Sequence, residues 1–264
     1  MSVAHDIVGV MRYGINVAIL GGLAEPGRVI EFAREAEAAG WQALMVWDHL
    51  AFTWGVPSAD PFVVLAGAAQ ATSTIRLGTS VTPLVHHRPE LLARSVAALD
   101  RLSGGRFVLG AGLGGMKAEY TRFGLPYPSG AQFDEALDVL SALLSGEEVH
   151  HRGDHYTVDG VRLAPAPERR VPFWIGGTSP AAARRASRWD AWIIPGDEED
   201  GSMSMTPDQV PTHDGCLALI GTSAAGESVA AYGEAGVDWW LEHLHERRAD
   251  HDTLLARIRS GPPR

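Results

Sequence analysis

The chain has 264 residues, 45% of them hydrophobic, enough for one large core and close to the roughly 250 residues of a (β/α)-barrel. Its formal charge of −10, from 22 basic and 32 acidic residues, would repel a phosphate backbone, so no nucleic-acid partner is expected. Cys216 is the only cysteine, and no apolar stretch reaches the roughly 20 residues of a membrane span; a cytoplasmic protein with no disulfide and no membrane contact is expected.

Met1–Val10 has neither basic residues nor a long apolar core and reads as a tail ahead of one domain at residues 11–264, with Met11 a candidate start. From there apolar, β-branched runs alternate with helical patterns, the signature of parallel βαβ units. The first strand is expected at Tyr13–Leu20, before a helix that opens at Pro26 and carries an apolar stripe of Val29, Phe32, Ala33, Ala36 and Ala39 as far as Gly40. Ala43–Trp47 and Ile75–Thr82 read as the second and third strands, with helices opened by Asp60-Pro61 and Arg88-Pro89; Ser103-Gly104-Gly105 ends the latter. Arg106–Gly110 is the fourth strand and Ala131–Leu144 its helix. Between that helix and the fifth strand, Pro172–Gly176, an insertion reads as a hairpin of Glu148–His151 and His155–Val158 around Gly153-Asp154. Ala191–Pro195, Cys216–Gly221 and Val237–Leu241 complete eight strands, while Gly196–Gly215 offers only Thr206–Val210 as a short helix and reads as a loop. The pattern predicts an α/β fold, a single (β/α)8 TIM barrel with a hairpin insertion between helix 4 and strand 5.

In such a barrel the site lies where strands end and helices begin. Trp47-Asp48-His49 follows the second strand, with Phe52 and Trp54 close behind. A carboxylate, an imidazole and two indoles suit a planar aromatic ligand that needs a proton donor or acceptor; a core Trp47 with Asp48 capping a turn is the alternative. The third strand ends Gly78-Thr79-Ser80-Val81-Thr82-Pro83, and His86 and His87 beyond it read as solvated loop residues. Gly110-Ala111-Gly112-Leu113-Gly114-Gly115 matches G-x-G-x-x-G with Glu135 about 20 residues on. It sits in the fourth unit of eight, however, and its long helix begins only near Ala131, so a dinucleotide fingerprint is rejected. The glycines still allow close approach of backbone to a ligand. Gly176-Gly177-Thr178-Ser179-Pro180 puts hydroxyls at a helix N-terminus, either a phosphate seat or an ordinary N-cap. Lys117 is the only lysine, so arginines, amides and helix termini must meet any anion. Trp239-Trp240-Leu241-Glu242-His243 and then His245 close the strand set, with one of the two tryptophans pointing outward. No metal is expected, because His150, His151 and His155 make no firm zinc spacing; Cys216 inside an apolar strand gives nucleophilic catalysis little support.

Together these junctions resemble the bacterial-luciferase-like superfamily of flavin- and deazaflavin-dependent oxidoreductases, from Met11-Arg12-Tyr13-Gly14 to Gly261-Pro262-Pro263. The most specific parts are Trp47-Asp48-His49, the run from Ile75 to Pro83, Leu99 to Arg106, the glycine run with Glu119 and Phe123-Gly124, and Trp174-Ile175-Gly176-Gly177. Within the superfamily the chain is most similar to the branch that uses coenzyme F420, a deazaflavin. The resemblance implies Asp48 and His49 close to the reactive ring carbon and a non-proline cis peptide at Ser80-Val81 backing the coenzyme ring. It also implies coenzyme contacts from Ser80, Val81, Thr82, Gly110, Gly112, Gly114, Gly115, Gly176, Gly177 and Thr178. Members that oxidise sugar phosphates place a glutamate where this chain has Gly115 and meet the phosphate with lysines, so that substrate is not implied here.

The function so read is hydride transfer between F420 and a small uncharged organic substrate. His49 is the general acid or base with Asp48 as its partner and Glu119 in reserve, and Trp47, Trp54 and Trp240 surround the substrate. One alternative is an FMN-dependent monooxygenase served by a separate flavin reductase; another is a flavin-binding barrel without catalysis. A homodimer is expected because Trp239, Trp240 and several apolar helix faces exceed what one barrel interior needs.

Overall fold

The computed structural model describes residues 10–198 and 200–263, so the expected tail at 1–10 lies outside the described residues except for Val10. In chain order, β1 (Arg12–Val17) leads to α1 (Pro26–Ala38), β2 (Ala43–Val46), α2 (Pro61–Ala71) and then β3 (Arg76–Thr79). The expected third strand is split: β4 (Thr82–Pro83) continues it beyond Ser80-Val81, whose peptide bond is cis as expected. α3 (Pro89–Ser103), β5 (Phe107–Gly112), the short α4 (Ala118–Thr121) and α5 (Gly130–Leu143) follow. An antiparallel hairpin of β6 (Val149–Arg152) and β7 (Thr157–Val161) stands apart from the barrel. β8 (Phe173–Gly176), α6 (Pro180–Ala186), β9 (Ala191–Pro195), β10 (Cys216–Gly221), α7 (Ala230–Glu234), β11 (Trp239–Leu244) and α8 (His251–Arg259) complete the fold.

All barrel pairings are parallel, in the order β3-β2-β1-β11-β10-β9-β8-β5, and the β3–β5 pairing closes the ring. On β5, Val108 pairs with Gly78 while Ala111 pairs with Thr82, so four steps of the third strand face three of the fifth. This one-residue bulge falls at Ser80-Val81 and pushes that segment toward the barrel axis. The hairpin begins its second strand two residues later than expected, because Glu135 of α5 takes the amides of His155 and Tyr156 and also bonds His151 Nε2 at 2.9 Å. Between β9 and β10 the helix is reduced to one 3-10 turn, Pro207–Gln209, as that polar, Gly-rich segment predicts.

Strand alternation divides the core into two layers. Ala43, Met45, Val108, Trp174, Ile193, Trp239 and Leu241 fill the barrel. Leu44, Val46, Leu109, Ile175, Ile194 and Trp240 face the helices. Trp240 is 0% exposed, packs at a tilt against Tyr232 and donates to Glu242 Oε2 at 3.0 Å. Its expected place at the substrate is therefore corrected: the period of two that sends Trp239 inward sends Trp240 outward. Both indoles are buried within one chain, so neither is left over for a subunit interface.

The N-terminal end of the barrel is locked by charge. Arg106 donates to the Ser103, Ile75, Ala69 and Thr72 carbonyls and to Thr72 Oγ1, at 2.6 to 3.1 Å. The last carbonyls of α2 and α3, which have no partner within their helices, are met by one guanidinium fork. Glu37 answers from α1, accepting the Ser73, Thr74 and Ile75 amides.

Candidate active site

The mouth is organised around the bulge. A Cβ on Gly112 would meet Val81 Cγ2 at 2.5 Å, one on Gly176 would meet Val81 Cγ1 at 2.7 Å, and one on Gly110 would meet the Thr79 carbonyl oxygen at 1.9 Å. These three positions are glycine because the displaced third strand lies against them. That corrects the expectation that their missing Cβ atoms serve a ligand directly. Gly115 has open space around it, and Gly114 and Gly177, at φ +84 and +128, adopt backbone that L side chains rarely tolerate. Tyr120 and Tyr127 hydroxyls hold the glycine run by bonding the Leu113 and Gly114 carbonyls, each at 2.7 Å. Beneath Val81, Ser80 Oγ donates to Asn16 Oδ1, and the Asn16 Nδ2 donor is buried without a partner. Thr82 Oγ1 is likewise buried and unpaired.

Next to the bulge, the loop after β2 carries His49, whose Nδ1 lies 3.1 Å from Glu119 Oε2. The other oxygen, Oε1, accepts the Ala51 amide at 3.0 Å and so holds that residue at φ 56, an uncommon left-handed conformation for alanine. Glu119 is 1% exposed. Burial pushes its carboxyl up, but the bonds from His49 and the Ala51 and Leu50 amides outweigh it and hold the group below the ordinary carboxylate range. An ionised Glu119 accepts the Nδ1 proton, which leaves His49 Nε2 as the free nitrogen. The expected Asp48–His49 pair is corrected accordingly. Asp48 Oδ2 instead faces His87 Nε2 at 3.5 Å, too long for a good hydrogen bond. His86 is no solvated loop residue either: its ring packs 3.6 Å from that of Tyr120, and burial pushes its pKa down.

On the other side of Trp47 opens a pocket of about 180 Å³, lined among others by Ala18, Leu20, Trp54, His243, His245 and Arg247. Trp47 and Trp54 stand 5.6 and 5.1 Å from the His49 ring, so the expected indole walls do meet the imidazole. His243 bonds Asp197 Oδ2 through Nδ1 at 2.7 Å, and burial beside His243 drops the pKa of His245 to about 4. Cys216 lies at the far end of its strand, where burial pushes its thiol up to about 12, which removes it as a nucleophile.

The sequence profile of luciferase-like monooxygenases matches residues 10–212. The chain belongs to that family. Named relatives in it include an F420-dependent dehydrogenase and a monooxygenase. A family relative from Microbacterium testaceum, an F420-dependent glucose-6-phosphate dehydrogenase, is 31% identical over 248 residues, covering 90% of this chain and 69% of its own length. An uncharacterized Mycobacterium tuberculosis protein is 28% identical over 190 residues; the match covers 65% of this chain and 66% of that one, a little under two thirds of the relative. A 4-hydroxyprotoasukamycin monooxygenase from Streptomyces nodosus subsp. asukaensis is 34% identical over 62% of this chain and 45% of its own. Among solved structures, an F420-dependent secondary alcohol dehydrogenase in complex with an F420-acetone adduct superposes with a TM-score of 0.76 at 17% identity, covering 94% of this chain and 97% of that one. A monooxygenase from Streptomyces bottropensis gives 0.76 at 18% identity with the same coverage. At these identities the superpositions establish the shared barrel. No helix among the described residues is long and apolar enough to cross a membrane.

Within this family barrel, residue-by-residue reading misses Asn16, Tyr120, Asp197, His243 and His245 as parts of the mouth. A signal for two of them was present. Trp239, Leu241, His243 and His245 follow the strand period of two, so a core-facing Trp239 sets both imidazoles on the inner face.

Proposed function

We propose that this chain transfers hydride between coenzyme F420 and a small uncharged organic substrate seated in the pocket beside Trp47 and Trp54. The observation that carries the proposal is the His49–Glu119 pair, with His49 packed against Trp47 and Trp54, two residues that line that pocket. A planar heterocycle with acceptor atoms fits the bulge, because Asn16 Nδ2 and Thr82 Oγ1 are buried there without partners. Val81, the backbone of Gly112, Gly114 and Gly115, and the Gly176-Gly177-Thr178 turn are the residues that would hold it. When bound, a deazaflavin supplies hydride chemistry without the oxygen adduct that a monooxygenase needs.

The chain's own part is orientation and a proton. Glu119, kept ionised, fixes the tautomer and tilt of His49, so that Nε2 can take a proton from, or return one to, a substrate oxygen or nitrogen. The two indoles exclude water from that exchange. The relative aligned over 90% of this chain is F420-dependent, which supports the deazaflavin. With Lys117 the only lysine and Gly115 where the sugar-phosphate resemblance implies a glutamate, a phosphorylated substrate is disfavoured.

A second reading, an FMN-dependent monooxygenase fed by a separate reductase, draws support from the 34% identical monooxygenase relative. A side-by-side titration of the purified protein with F420 and FMN separates the two. The first reading expects F420 to bind at least about tenfold more tightly and turnover of small alcohols, enones or imines to be indifferent to oxygen. Tighter FMN binding with oxygen-dependent turnover would replace it with the second.

A further inference from the structure

β11 delivers two imidazoles to the same wall of the mouth. Trp239 and Leu241 point into the barrel, and His243 and His245 continue that face, their ring centroids 4.5 Å apart. Trp47 lies 5.0 Å from the His243 ring and separates it from His49. The third member arrives from the segment after β9: Asp197 Oδ2 lies 2.7 Å from His243 Nδ1, and the Asp197 side chain is 3% exposed. One donor atom from each of the three residues lies within 4.8 Å of the other two.

Two facts make this more than a packed histidine pair. His243 and His245 are 6% and 7% exposed, and the Nε2 atom of each is buried with no hydrogen-bond partner. Buried polar atoms are nearly always paired, so two unpaired imidazole nitrogens side by side call for a ligand that accepts lone pairs. The donor set has the same implication. Two imidazoles and one carboxylate suit zinc and the neighbouring first-row divalent ions, whereas magnesium and calcium favour all-oxygen shells.

We propose that Asp197, His243 and His245 form a binding site for a divalent transition metal of the zinc class. Metal–ligand distances of about 2.0–2.2 Å bring tetrahedral donors to roughly 3.3 Å from one another, so closing this set onto one ion requires the His243 Nδ1–Asp197 Oδ2 hydrogen bond to give way and free the carboxylate as a ligand. Three protein ligands leave a coordination position for an outside donor. His243 and His245 both line the pocket, so a hydroxyl, carbonyl or carboxylate oxygen of a ligand there is the donor that fits. The earlier expectation of no metal looked only to the hairpin histidines, of which His151 is committed to Glu135 and His150 to Glu148. The site rests on three protein side chains and stands whichever coenzyme the barrel takes.

The test is a titration of chelator-treated full-length protein with Zn²⁺ and, separately, Co²⁺, with no coenzyme added. The expected result is one equivalent bound with a Kd in the low micromolar range or tighter, and visible Co²⁺ absorption of the intensity given by four- or five-coordination. His243→Ala and His245→Ala should each weaken binding at least about a hundredfold, and Asp197→Asn at least about tenfold, with circular dichroism checking the fold of each. If an alanine variant does not fold, His243→Gln and His245→Gln must abolish the Co²⁺ bands in its place. A combined His150→Ala, His151→Ala and His155→Ala variant should leave the one tight equivalent unchanged. No uptake by the wild-type protein at 100-fold the low-micromolar Kd range, or uptake that survives replacement of both His243 and His245, overturns the proposal.

Discussion

At the N-terminal end of the barrel, one guanidinium, Arg106, makes five hydrogen bonds, four to the ends of α2 and α3 and one to the Ile75 carbonyl before β3, and Glu37 closes the same turn from α1. At the opposite end, six of the nine buried side-chain polar atoms without hydrogen-bond partners among the described residues gather at the mouth: Asn16 Nδ2, Asp48 Oδ2, Thr82 Oγ1, and Nε2 of His86, His243 and His245. Both ends are polar and both are built from the same eight strands. The difference is that one end spends its polar groups on its own backbone, while the other leaves several of its buried polar atoms without a hydrogen bond. Unpaired buried groups destabilise a fold, so their concentration at one end marks where something other than this chain completes the structure.

Breaking the locked end should have the largest effect and should be felt as stability. Arg106→Ala leaves several carbonyls unpaired and should cost about 3 kcal/mol, lowering the melting midpoint by roughly 6–12 °C while turnover per folded molecule stays within about twofold. A loss below about 2 °C in thermal melting would mean that the fork is not what holds that end.

Removing His49 should show the reverse pattern. His49→Ala should cut turnover at least about a hundredfold while F420 affinity stays within about tenfold, with a stability loss of about 2 kcal/mol from the buried Glu119 oxygen left without its partner. Steady-state kinetics alongside a binding titration measure both; near-normal turnover would make His49 a packing residue. A finer comparison ranks the two carboxylates. Glu119→Gln should slow turnover about tenfold or more, because it loosens His49 and the Ala51 turn together, whereas Asp48→Asn should stay within about threefold. The opposite order would restore Asp48 as the partner.

The smallest effect concerns acid. Glu37 titrates at about 2 instead of 4.5: burial pushes it up, but the bonds from Thr74, Ile75 and Ser73 pull it further down. A depressed carboxylate contributes its stability fully above its ordinary value of 4.5 and loses it as pH falls through about 2. Screened by its partial exposure, that contribution is about 1 kcal/mol. Glu37→Gln should flatten this part of the stability–pH curve between pH 4.5 and 2 in acid titration followed by circular dichroism.

The barrel was legible in the sequence because a buried parallel strand announces itself by continuous apolar residues and its helix by Pro and N-cap signals, as at Asp60-Pro61. Trp47, His49 and Trp54 were legible for a similar reason: large or titratable side chains at a strand end have few other uses. The pairing of His49 was not. Adjacent Asp48 looked like the natural partner, but contact depends on where a short helix 70 positions away is placed, and only the fold brings Glu119 there. The glycines of β5 and β8 were read as ligand cradles, yet a sequence cannot distinguish space kept for a ligand from space filled by Val81 of another strand. Asp197 sits in a loop of Gly, Asp and Ser that carries no periodic signal at all.

The most direct test of the contrast between the two ends is hydrogen–deuterium exchange, followed by mass spectrometry, on the protein with and without saturating F420. Protection is expected on the segments around Trp47–Trp54, Ser80–Leu84, Gly112–Tyr120 and Gly176–Ser179, with the turn at Thr72–Arg76 beside Arg106 and Glu37 unchanged. Protection confined to that turn or to the hairpin, with the mouth unaffected, would contradict the account.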